Sequence, residues 1–101
     1  MTGSGPPPAY HVSLSAKVAA EIRNLSATAA TGGKKDSFLS SLEKIYEHLR
    51  REPCQFGEYR FGLRALHLGC YIGALHPVAV QYSVHDEQAV VFLLKVLLME
   101  S

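Results

Sequence analysis

Two residues of this chain could move a proton on a bound substrate. His67 carries an imidazole, which gives and takes protons near neutral pH, and Tyr71 carries a phenol that can donate. Strand alternation sets both on the polar side of one predicted strand. Arg60 and Arg64 lie just before that strand, and Lys95 interrupts a late apolar run. Such cations hold anionic groups and stabilise negative charge. Lys34 and Lys35 form a second basic pair. Two readings stand side by side. In one, His67 is an acid/base with Arg64 and Lys95 as anion clamps. In the other, His67 and Tyr71 are half-exposed sheet residues and Lys95 is a snorkelling side chain at an edge.

Metal chemistry finds no support in the spacing. His67, His76 and His85 are evenly placed but fall on a strand, a bend and a turn, with no H-x-x-x-H or Cys-containing zinc pattern. Cys54 and Cys70 make no C-x-x-C and read as reduced thiols, Cys70 on an apolar strand face and Cys54 in a loop. No P-loop, dinucleotide fingerprint or nucleophile elbow occurs, so neither metal nor cofactor is expected.

The elements that must position these residues follow from periodicity. Tyr10, Val12 and Leu14 alternate inward on a short strand, and Ser15 is placed to cap the helix behind it. Val18, Ile22, Leu25 and Ala29 then draw an apolar stripe that ends at Thr31-Gly32-Gly33. Asp36 is the expected N-cap of a second helix carrying Phe38, Leu39, Leu42, Ile45, Tyr46 and Leu49 inward, stopped by Pro53. Residues 53–64 read as an irregular arm. Leu66, Leu68, Cys70 and Ile72 form the apolar face of one strand, and Val78, Val80, Tyr82 and Val84 that of the next. After a polar turn, residues 89–98 are apolar on both faces, with Val91, Leu93 and Leu97 on one side and Phe92, Leu94 and Val96 on the other. The order β-α-α-β-β-β predicts an α+β fold of two layers, a helical hairpin packed on an antiparallel sheet. Residues 1–9 form an expected flexible tail, and 10–101 one domain.

Composition narrows the function classes. Hydrophobic residues are 48% of the chain and charged residues 19%, enough to bury a core. The N-terminus has no basic or apolar signal segment, and the longest apolar run is far short of a membrane span, which points to a cytoplasmic protein with no membrane partner. The formal net charge is only +1, low for a protein that grips nucleic acid through many phosphates. A final strand apolar on both flanks instead predicts a protein partner, or a second copy of the chain in a homodimer.

The stretches YHVSLSAKVAAEI, FLSSLEKIYEHLRREP and HPVAVQYSVHDEQAVVFLLKVLL, in this order, resemble the RelE/ParE superfamily of toxins from type II toxin–antitoxin modules. The resemblance covers residues 10–98. It implies a bacterial toxin that cleaves messenger RNA on the ribosome or inhibits DNA gyrase, and that a cognate antitoxin neutralises. By that analogy His67, Arg64, Tyr71 and Lys95 are the catalytic candidates, with Arg60, Lys34 and Lys35 as nucleic-acid contacts. The chain departs from the family's nucleases at Ala79 and Gln81, where an arginine is common, and in its ending LLKVLLMES, which lacks their basic and aromatic C-terminal residues. A RelE-like domain without catalysis, serving protein binding or assembly, is therefore the competing expectation.

Overall fold

Ser15 opens the first helix: its backbone is extended and its hydroxyl accepts the Val18 amide at 3.1 Å, satisfying one of the orphan donors of the first turn. The computed structural model describes residues 9–85 and 87–99. Apart from Ala9, the expected tail lies outside the described residues. In chain order the elements are β1 (His11–Leu14), α1 (Ala16–Thr31), α2 (Lys35–Arg51), a one-turn α3 (Pro53–Phe56), β2 (Glu58–Leu63), a 3-10 turn (Arg64–Leu66), β3 (Leu68–Leu75), β4 (Val78–His85) and β5 (Val90–Leu98).

The two long helices form where their stripes predict, but α2 buries Phe38, Ile45 and Leu49 and leaves Leu39 and Tyr46 exposed. Gly33 takes a φ of 75° at the end of α1, a conformation that costs glycine nothing, and the chain reverses there into α2. The cap of α2 differs from expectation. Lys34 occupies the position without a capping side chain, and Asp36 falls inside the first turn. Its carboxylate still lies where the helix dipole favours negative charge. Pro53 ends α2 as expected but begins α3, since proline fits the first turn of a helix, where no amide is needed. Glu47 and Arg51 pair at 2.9 Å on the solvent side of α2.

One five-stranded sheet, ordered β1-β5-β4-β3-β2, carries the helices on one face. All neighbours are antiparallel except β1 and β5, which run parallel. The α+β sandwich is the predicted one, with an added strand: residues 58–63 of the expected arm pair with β3. The core joins Val18, Phe38, Ile45 and Leu49 of the helices to Val78, Val80, Tyr82, Val91, Leu93 and Val96 of the sheet. Phe38, Ile45, Leu49, Val80 and Tyr82 have no exposed surface. Among the described residues, no helix is long and apolar enough to cross a membrane.

Two strands turn their faces against expectation. Cross-strand partners share a face, so Tyr71, Gly73 and Leu75, which pair with Tyr82, Val80 and Val78, point to the helices. The apolar set Leu68, Cys70 and Ile72 points the other way, opposite His85, Ser83 and Gln81. The cause is space. A Cβ on Gly73 would stand 2.5 Å from Cε2 of Phe56, so only glycine admits the Phe56 ring, which is packed between His48 and Tyr82. In β5 the expected parity holds to Leu93 and then breaks. A bulge opposite Gln81 and Tyr82 inserts one extra residue, so Val96 joins Val91 and Leu93 on the helix side and Leu97 faces away.

Candidate functional site

The face of the sheet turned away from the helices has no layer over it among the described residues, and it is where the exposed side chains with chemical potential collect. Register defines its rows. Phe61, Cys70, Ser83 and Phe92 form one, and Glu58, Ile72, Gln81 and Lys95 the next. Small Cys70 and Ser83 are buried as a floor, while Phe61 (56% exposed), Ile72 (40%), Leu94 (53%) and Leu97 (40%) stand up around it. A shallow cavity of about 290 Å³ opens there, bounded by Arg60, Phe61, Ile72, Gln81 and Leu94. It can take an apolar or planar group, with the Gln81 amide and Arg60 guanidinium as the polar handles.

Electrostatics on this face are weak. Arg60 is held by Glu58 at 3.2 Å, so the cation nearest the cavity carries its own counter-charge. Lys95, exposed and opposite Gln81, is drawn to the open side by the bulge beside it. Neither Gln81 nor Ala79 places a charge on β4, and both face this side.

His67 is not on a strand. It closes the 3-10 turn in the left-handed conformation (φ 55°), its amide bonded to the Arg64 carbonyl at 3.1 Å. Its Nε2 lies 3.5 Å from Glu87 and its ring centroid 6.1 Å from that of His85, so two turns meet at this end of the sheet. His76 sits at the opposite end of β3, where its carbonyl accepts the Ser41 hydroxyl at 2.8 Å. Among the described residues, no group of three or more His, Cys, Asp or Glu side chains is placed to hold a metal.

Tyr71 belongs to the helix layer. It stacks on Tyr82 at 5.4 Å, meets Tyr59 edge-on at 5.5 Å and lies close to the Cys54 thiol. Burial, followed by that thiol, drives its hydroxyl well above the ordinary phenol range. It stays protonated at neutral pH, and the upward shift makes it a weaker acid than an ordinary phenol. Tyr82 donates to the Pro53 carbonyl at 2.6 Å, and burial pushes its hydroxyl up to about 12.

The sequence candidates therefore divide into separate places. Arg64 and His67 lie together at one end of the sheet, Arg60 and Lys95 flank the open face, and Tyr71 reaches into the helix side. Lys34 and Lys35 sit at the α1–α2 turn, in the helix layer. Gln81 and His85 are four residues apart on β4, which is roughly 13 Å at strand rise, so Lys95 beside Gln81 and His67 beside His85 serve different stretches of surface. What the sequence did not show is the floor of Cys70 and Ser83 and the Glu87 contact. Alternation alone could have found Ser83, which lies out of phase with Tyr82.

No protein-family model matches the chain, and no curated protein matches it in sequence. A solved structure does match in shape: an archaeal RelE–RelB complex from Pyrococcus horikoshii OT3 aligns with a TM-score of 0.62 and 22% identity, over 88% of this chain and 93% of the matched one. This chain has a RelE-like fold.

Proposed function

We propose that this RelE-like chain is the toxin of a toxin–antitoxin pair, restrained by a protein partner. The observation that carries the reading is architectural: nearly nine-tenths of the chain aligns in shape, at a TM-score of 0.62, with a structure solved as a RelE–RelB complex. An antitoxin partner supplies what the open face lacks, an apolar cover for Phe61, Ile72, Leu94 and Leu97.

The test is growth. Expressed alone, the chain arrests a bacterial culture, and co-expression of a small protein from the neighbouring reading frame restores it. Undiminished growth at high protein level would sink the proposal.

How the toxin acts is a further step within the proposal. Were it to cut messenger RNA, Arg64 and His67 would hold the phosphate and move the proton, with Lys95 and Arg60 guiding the strand and Lys34 and Lys35 as outlying contacts, while Tyr71, turned to the helix side, would take no part. One observation favours the second reading, action by protein binding at a target such as gyrase: the counter-charged Arg60 and the apolar cavity suit a side chain of a protein better than a phosphate. Incubating purified chain with ribosome-bound messenger RNA separates them. Cleavage that Arg64→Ala and His67→Ala abolish establishes the nuclease; growth arrest without cleavage establishes the binder.

A further inference from the structure

His85 ends β4 and its ring is used unusually. Its Nδ1 accepts two backbone amides at once, those of Glu87 and Gln88, each at 3.2 Å. Both bonds hold the turn into β5, which contains Ala89 at φ 52°, a left-handed conformation that disfavours a side chain and must be stabilised by its surroundings. An imidazole nitrogen can accept only while it carries a lone pair, so the ring must be neutral with its proton on Nε2. Adding a proton to Nδ1 turns the acceptor into a third donor, pointed at two others.

We propose that His85 is a proton-operated latch on the β4–β5 turn, closed when the ring is neutral and released when it is charged. The ring's own bonds set the direction, and the neighbouring groups adjust it. Leu68 of β3 and Val90 of β5, its sheet partners, bring no charge. His67, 6.1 Å away, adds like charge when it too is protonated, though Glu87 at 3.5 Å takes up part of that charge. His11 shares the same row beyond Val90 and is the next ionisable group on that face. Asp86, adjacent in sequence, lies outside the described residues.

The sign follows from the bonds. Contacts made by the neutral ring stabilise the turn at higher pH and are lost as pH falls through the span, from about 8 to about 5, in which imidazoles take up a proton. What the latch controls is local. Releasing it frees the Glu87 and Gln88 amides and loosens the end of the open face, without touching the core.

Nuclear magnetic resonance on the intact chain tests this. Hydrogen-exchange protection factors, which divide out the intrinsic pH dependence of exchange, are read at Glu87 and Gln88 between about pH 8 and 5. The neutral ring should appear as the Nε2–H tautomer, and protection at both amides should fall on the order of tenfold or more on acidification, as expected for the loss of two hydrogen bonds. His85→Asn keeps a side-chain acceptor that does not titrate, so its turn should stay protected across the range. His85→Ala should be unprotected throughout, and His67→Ala should retain the fall. The latch is overturned if the unmodified chain keeps its protection at acid pH, if His85→Asn titrates like it, or if His67→Ala abolishes the change.

Discussion

The two faces of one sheet make opposite use of the same strands. On the helix side, Val78, Val80 and Tyr82 of β4 are wholly buried against Phe38, Ile45 and Leu49. On the open side, Phe61, Ile72, Leu94 and Leu97 stay between two-fifths and three-fifths exposed. The first face meets the needs of folding within the chain. The second leaves apolar surface that folding does not require, and a surface of that kind is kept for something else to cover. Stability should therefore respond to one face and, on the proposed reading, biological action to the other.

The largest effect is expected at the centre of the helix side. Phe38→Ala should remove about 3–5 kcal/mol of folding stability, seen as a lower denaturant midpoint with an unchanged slope. A loss under about 1 kcal/mol would mean that the helices are not the main cover of the sheet. Gly73→Ala comes next: its methyl group displaces the Phe56 ring from between His48 and Tyr82, at a cost of about 1–3 kcal/mol. An unchanged melting temperature would contradict the face assigned to β3.

Alkaline titration sharpens the same contrast. The folded Tyr82 hydroxyl titrates at about 12 against 10.0 for an ordinary phenol, so the folded state resists its ionisation. Its contribution to stability is complete below pH 10.0 and is lost as pH rises through about 12. Tyr71 moves in the same direction. Unfolding measured across that window should show a steep loss that Tyr82→Phe makes shallower. The smallest effect belongs to the open side: Leu94→Ser should alter stability by no more than about 0.5 kcal/mol.

The same contrast explains what the sequence disclosed. The helices were legible because their stripes repeat at helical spacing and their ends carry Ser15, Gly33 and Pro53. The Asp36 cap was misplaced by two residues, since several positions near a helix start can satisfy its amides. The faces of β3 and β5 were not legible, for two physical reasons. Alternation identifies an apolar side but not that it is covered, and in β3 the apolar residues line the uncovered face while glycines make room on the other. A bulge has no residue signature of its own, so the parity change in β5 after Leu93 shows only in register. β2 escaped notice because Glu58, Arg60, Gly57 just before it and Gly62 within it hide its alternation. Of the candidate site, the residue types were readable and their convergence was not: His67 and Arg64 meet at a turn, while Tyr71 looks inward.

The most direct measurement takes Leu94→Asp through melting and growth together. A charge placed on the open face should leave the melting temperature within a few degrees of the unmodified chain, because Leu94 is more than half exposed, and should abolish growth arrest. Full arrest by a stably folded Leu94→Asp protein would show that the open face is not the working surface.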